Sequence, residues 1–149
     1  MKVAVAADHA GSLLLAPVLE EIRRLGHEAL DLGTHDALSA DDYPDRAVDL
    51  AAVLVAGRAA RGVLICGSGV GASVAANKVR GIHAALCHDT YSAHQGVEHD
   101  EMNVLCLGAR VIGEALALEL VRAFLAAEFS GEPRHRRRLE KIAVMEAKF

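Results

Sequence analysis

Five short apolar runs, at residues 2–7, 27–32, 62–66, 83–87 and 103–107, alternate along this chain with longer stretches of helical periodicity. Strands alternating with helices imply βαβ units, which close into a parallel sheet through right-handed crossovers. The runs are rich in Ala, Val, Leu and Ile. Aromatic residues make up only 3% of the chain, so the core must be built from small aliphatic side chains, as suits strands covered on both faces. The predicted fold is therefore one open, doubly wound α/β domain over 1–149, with helices on both faces of the sheet.

Local signals place the elements. Leu15, Leu19, Ile22 and Leu25 predict a helix over 12–25, stopped by Gly26. Pro17 is awkward at that depth and implies a later start or a kink. Residues 33–44 read as a polar loop, 45–60 as an Ala-rich helix and 72–79 as a short helix. Helices over 90–100 and 114–128 follow, and Pro133 suits the first turn of a last helix reaching about residue 147.

Several function classes are disfavoured at once. No apolar run has transmembrane length, and the apolar start of the chain meets Asp8 and His9 too soon for a signal peptide. Three cysteines in apolar runs, without zinc-ligand spacing, agree with a cytoplasmic location. A net charge of −4 gives no reason to expect nucleic acid. The one cationic run, Arg134 to Arg138, reads by itself as a solvated helix face.

In an open α/β sheet, ligands bind beyond the carboxyl ends of the strands. Three segments qualify: Asp8 to Gly11, Cys66 to Gly71 and Cys87 to Asp89. The middle one, Cys66-Gly67-Ser68-Gly69-Val70-Gly71, lets backbone approach a ligand and aims the N–H groups of the next helix at it. It lacks the Gly-Lys-Ser/Thr of a P-loop and a complete dinucleotide fingerprint. A tight strand-to-helix turn explains such glycines equally well. A free cysteine in a strand is ordinarily a small buried hydrophobe, and Cys106, between Leu105 and Leu107, fits that account. Cys66 alone directly precedes a glycine loop and a helix start, where a thiolate would be stabilised. His88, His94 and His99 suggest a metal, but the interval from His94 to His99 misses the i, i+4 pairing of helical ligands. No metal site is expected.

Taken together, Asp8-His9-Ala10-Gly11, Asp42-Tyr43-Pro44, the Cys66 loop leading to Ala75-Ala76-Asn77-Lys78, and Tyr91-Ser92-Ala93 resemble the ribose-5-phosphate isomerase B family, which includes the galactose-6-phosphate isomerase subunits. Asn103-Val104, Leu107-Gly108-Ala109-Arg110 and Arg134-His135 with Arg138-Leu139 complete the ordered set, which spans nearly the whole chain. The resemblance implies a Rossmann-like fold and a cofactor-free aldose–ketose isomerisation of a phosphorylated sugar through a cis-enediol. It makes Cys66 the base, since the glutamate used by other members falls at Ala72 here. Ser68 would relay protons between sugar oxygens, and the N–H groups of Gly67, Gly69, Val70 and Gly71 would hold the developing oxyanion. His99 matches the acid that opens the furanose ring, and Asp8 and Tyr43 would contact sugar hydroxyls. His9, Arg110, Arg134 and Arg138 match phosphate-binding positions; the two last arginines, four apart on one helix, can face one dianion. The site would form between subunits of a homodimer or a dimer of dimers, with His99 and the arginines crossing from the partner.

One departure bears on the substrate. The family commonly has asparagine where this chain has Asp100, and an ionised carboxylate beside an enediolate disfavours it. Asp100 is protonated, or turned away, or serves another substrate's hydroxyl. Val97 also replaces a commonly basic residue. Rival readings are the same chemistry on a tetrulose, allose or galactose phosphate, with the difference lying in loop 34–42 and Asp100. Rivals of another class are a nucleotide-binding module without chemistry and a metal-dependent hydrolase.

Overall fold

The computed structural model describes residues 1–38 and 40–149; Ser39, inside the predicted specificity loop, lies outside the described residues. Five parallel strands form one sheet in the order β2-β1-β3-β5-β4: β1 (Lys2–Ala7), β2 (Glu28–Asp31), β3 (Arg61–Cys66), β4 (Ala84–Leu86) and β5 (Val104–Gly108). The connecting helices are α1 (Ser12–Arg24), α2 (Tyr43–Val55), α3 (Val70–Ala76) and α4 (Thr90–Asp100). Two more, α5 (Glu114–Ala126) and α6 (Pro133–Lys148), follow the last strand. No helix among the described residues is long and apolar enough to cross a membrane.

The pleat sorts each central strand between two cores. Val3, Val5 and Ala7 face α1, α4 and α5, whereas Ala4 and Ala6 face α2 and α3. Val3 through Ala7 are all solvent-inaccessible, which explains why the strands read as continuous apolar runs rather than alternating ones. Each fully buried Leu, Ile or Val contributes about 1.5–3 kcal/mol of transfer free energy, so these two layers dominate the stability.

Adjacent strands β1 and β3 feed helices on opposite faces, α1 on one and α3 on the other. The chain therefore diverges between their carboxyl ends and leaves a crevice there. Residues 8–11 and 66–69 flank it.

Several boundaries differ from expectation: β2 and β4 are shorter at both ends, α3 stops at Ala76 and α5 at Ala126, each ahead of the predicted end. Helix α2 begins at Tyr43, because Pro44 occupies its first turn, where a missing N–H costs nothing. The same helix stops at Val55, where Gly57 adopts a left-handed φ of 67° and donates its N–H to Leu54 O (2.9 Å). Helix α3 opens at Val70, two residues earlier than predicted, which places Val70 and Gly71 in the helix rather than the loop. Pro17 lies inside a continuous α1. The carbonyl it leaves free belongs to Leu13, which is exposed, so water can satisfy it. The last helix runs as expected.

Candidate active site

A cleft of about 330 Å³ opens at the carboxyl ends of β1, β3 and β5, lined by Asp8, His9, Tyr43, Cys66, Ser68 and Arg110 together with Gly67 and Gly71. Its floor is backbone. Ala109 N–H donates to Cys66 O (2.9 Å) and Arg110 N–H to Gly67 O (2.9 Å), pinning the turn after β5 against the turn after β3.

Gly69 caps α3 with φ 78° and ψ −17°, a left-handed conformation that a Cβ would strain. In this conformation its N–H reaches back to Cys66 Sγ at 3.1 Å. Val70 N–H donates to Ser68 Oγ at 3.3 Å. Two of the loop donors expected for an oxyanion thus face the thiol and the serine hydroxyl, and neither Gly69 nor Val70 lines the cleft. Gly71 has a different task. A Cβ there would stand 2.6 Å from Tyr43 Cζ, so the glycine makes room for the phenol ring at the mouth of the cleft.

The three cysteines part company by surroundings. Cys106 is wholly buried, and burial pushes its thiol well up. Burial, reinforced by the Asp89 charge, pushes Cys87 up to about 11. Both are neutral, inert hydrophobes near neutral pH. Cys66 is the one cysteine of the three that lines the cleft and receives an N–H donor.

Around it the polar groups are held in place. Asp8 is buried and accepts the Gly11 N–H through Oδ1 (2.9 Å). His9 is tied to Asp41, a residue the sequence reading passed over: its N–H donates to Asp41 Oδ1 at 2.8 Å, and its Nδ1 lies 3.2 Å from the same oxygen. Only an acidic doublet ahead of Tyr43-Pro44 hinted at it. Burial alone would raise the Asp41 carboxyl, but hydrogen bonds from Thr34 and His9 outweigh it and hold the group below the usual carboxylate range.

The remaining candidates lie elsewhere in the chain. His99, Asp100, Arg134 and Arg138 are absent from the lining of this cleft. They gather where α4 meets α6. His99 stacks on His135 with ring centroids 4.1 Å apart, and Gln95 Nε2 donates to its Nδ1 at 2.8 Å. That bond leaves the proton of a neutral ring on Nε2, where an acid would need it. His135 is buried and bonded to Ser130 Oγ (2.7 Å); burial first, then neighbouring His99, pushes its imidazole down. Its importance was legible as helical spacing, since His135, Leu139 and Ile142 share one face of α6. Arg134 and Arg138 are exposed, and Arg134 Nε pairs with Glu132 at 2.8 Å. Asp100 is exposed, with its carbonyl accepting from His83 Nδ1 (3.1 Å). Beyond it Glu101 turns the chain in a left-handed conformation with φ 52°. His88 Nε2 accepts the Gly108 N–H at 3.2 Å, which accounts for it structurally.

Comparison with known proteins identifies the family of the chain. Residues 3–142 match the family model described as Ribose/Galactose Isomerase. Ribose-5-phosphate isomerase B of Escherichia coli is 40% identical over 97% of this chain and 96% of its own length. D-erythrulose-4-phosphate isomerase of Pectobacterium atrosepticum is 40% identical over 88% of this chain and 86% of its own. The solved structure of Clostridium thermocellum ribose-5-phosphate isomerase B superposes with a TM-score of 0.95 at 43% identity, covering 99% of both chains. The strand-end cleft, the doubly wound sheet and these matches have one conclusion: the chain belongs to the ribose/galactose isomerase family of sugar-phosphate aldose–ketose isomerases.

Proposed function

We propose that this enzyme interconverts ribose 5-phosphate and ribulose 5-phosphate, with Cys66 as the base. The observation that carries the reading is Cys66 Sγ at the end of β3, facing the cleft and accepting the Gly69 N–H. The thiolate takes the proton from C2 of the open-chain aldose. The C–H electrons form a C1=C2 bond while the carbonyl electrons move onto O1, giving a cis-enediolate. The same thiol returns the proton to C1, and Ser68 Oγ passes a proton from O2 to O1, which completes the ketose. The N–H groups of Gly67 and Gly71, which line the cleft, stabilise the charge on the enediolate oxygen, while those of Gly69 and Val70 hold the thiol and the serine hydroxyl. Asp8 and Tyr43 contact sugar hydroxyls, and His9 and Arg110 contact the phosphate.

His99, from a second copy of the chain, protonates the ring oxygen O4 as the C1–O4 bond breaks and the anomeric O1–H gives its proton to water, which opens the furanose; Arg134 and Arg138 of that copy bind the phosphate. The support for this division is that these residues lie outside the cleft their own chain forms, on an exposed surface. No cofactor takes part in this scheme.

The relatives' names include both a ribose and an erythrulose phosphate isomerase, so a four-carbon substrate is the second reading, favoured by the exposed carboxylate of Asp100. A panel of four-, five- and six-carbon sugar phosphates, assayed for aldose–ketose conversion, separates the two. The highest kcat/KM is expected on ribose 5-phosphate. A tenfold preference for a tetrulose phosphate would replace the substrate while leaving the chemistry in place.

A further inference from the structure

His9 does not stand alone in the cleft. On one side its Nδ1 faces only acceptors of Asp41: the carbonyl oxygen at 3.1 Å and carboxylate Oδ1 at 3.2 Å. Nδ1 must therefore carry a proton, which directs the other ring nitrogen, Nε2, to be the one that meets a ligand. Among the described residues, no protein group is hydrogen-bonded to Nε2. Asp41 is itself fixed at both oxygens. Oδ1 accepts the His9 N–H (2.8 Å), Oδ2 accepts Thr34 Oγ1 (2.5 Å), and Arg46 Nε lies 3.7 Å from Oδ2. Its side chain is 15% exposed and that of His9 38%, so the carboxylate is held inside the pair while the imidazole reaches the solvent side of the cleft. Arg46 Nε is buried without a hydrogen-bond partner, and the same guanidinium pairs through Nη2 with Asp49 of α2 (3.3 Å), so its charge lies between two carboxylates.

We propose that Asp41 is a positioning residue that turns His9 Nε2 toward a bound phosphate and balances the charge His9 carries when it donates to that phosphate; the proposal rests on reading His9 as a phosphate contact. The Nδ1–H contact with Asp41 leaves Nε2 without a protein partner among the described residues. When a phosphate dianion enters, Nε2 takes a proton and donates it as a charge-assisted hydrogen bond. The carboxylate on the far side balances the imidazolium. The surroundings make this counter-charge necessary. Arg110 enters the same cleft from the turn after β5, so a second cation beside it needs a carboxylate of its own; Arg46, behind on α2, is shared between Asp41 and Asp49. The other titratable groups facing the cleft are Asp8 from His9's own turn, Tyr43 from α2 and Cys66 from β3. Asp8 is directed at the Gly11 N–H.

A mere tether of the loop before α2 would survive Asp41→Asn, which is isosteric and keeps an acceptor for the His9 N–H. The proposal therefore separates from that role by pH. KM, kcat and the inhibition constant of inorganic phosphate are to be measured from pH 6 to 9 for the wild type, Asp41→Asn, Asp41→Glu and His9→Gln. Asp41→Asn is expected to raise KM and the phosphate inhibition constant roughly tenfold above neutral pH, with kcat changed by less than about threefold. Its alkaline loss of affinity should begin at lower pH than in the wild type, while Asp41→Glu keeps the wild-type profile. A uniform change across the whole pH range, or an unmoved profile in Asp41→Asn, overturns the proposal. An unchanged KM in His9→Gln overturns instead the assignment of His9 to the phosphate. Thermal melting of each variant identifies loss of folding, in which case the Asp41→Glu profile decides: an alkaline limb displaced from the wild type counts against the charge-balancing role.

Discussion

The cleft at the ends of β1, β3 and β5 and the surface where α4 meets α6 hold the two groups of proposed site residues, and they are built in different ways. In the cleft three of the polar side chains have a protein partner that fixes them: Gly69 N–H on Cys66, Gly11 N–H on Asp8, Asp41 on His9. On the α4–α6 surface, His99 is oriented by Gln95 and by the His135 ring, whereas Arg134 and Arg138 are exposed and Arg134 has only the exposed carboxylate of Glu132 beside it. Groups that must meet a carbanion-like intermediate gain from preorganisation. Groups that only gather a dianion gain from reach and charge. The difference is what two half-sites on one surface should show if they complete each other across a two-fold interface.

The most severe test of that comparison mixes two inactive enzymes. Cys66→Ala and His99→Ala are each expected to lose about a thousandfold or more in turnover of cyclic substrate, losses of the size expected for general acid–base groups. Co-refolded in equal amounts, they should regain about one quarter of wild-type activity, because half the dimers are mixed and each mixed dimer holds one intact site. No recovery, with mixed dimers shown to form, would place both residues in one chain's site and erase the contrast.

A smaller effect is expected from the exposed arginines. Arg134→Ala or Arg138→Ala should raise KM by roughly tenfold to a hundredfold, the loss of one charge-assisted contact worth about 1.5–3 kcal/mol, with kcat little changed. An unchanged KM would return the cationic run to the solvated helix face it resembles by composition.

The smallest kinetic effect should come from a third ionic group remote from both half-sites. Glu21 of α1 is buried and accepts from Arg24 (Nε, 2.7 Å) and from Arg122 of α5 (2.5 Å), which together hold its carboxyl down at about 2. A depressed carboxylate stabilises the fold fully above its unfolded pKa and loses that contribution as pH falls toward the folded value. Glu21→Gln should therefore cost about 1–3 kcal/mol at pH 7, shrinking as pH falls from about 4.5 toward 2, and leave KM and kcat unaltered. Denaturant melts at pH 7 and pH 3 check the sign; a cost that grows in acid would exclude the ion cluster as its source.

Much of this architecture was readable from the chain. The five strands follow from continuous apolar runs, since a run buried on both faces needs no alternation. The cleft could be located as well, because the rule of strand carboxyl ends selects Asp8 and Cys66 before any coordinates. Helix limits were less legible. Pro44 is equally at home in a loop or a first turn, and the choice is made by Tyr43 packing over Gly71, far away in sequence. Asp41 escaped notice for a related reason: an acidic residue in a polar loop has no periodicity to mark it, and its partner His9 is 32 residues distant. Glu21 was hidden within an ordinary amphipathic helix until α5 brought Arg122 to it.

By itself, then, the sequence determined the fold class, the strand ends that carry chemistry and the family, because these rest on local periodicity and on ordered motifs. The tertiary structure decided which of three cysteines meets a donor. It also decided which acid stands behind His9, and that His99 and the arginines belong to a surface separate from the cleft. Those outcomes depend on distances between residues remote in the chain, which only the packing of α1 to α6 on the sheet brings into being.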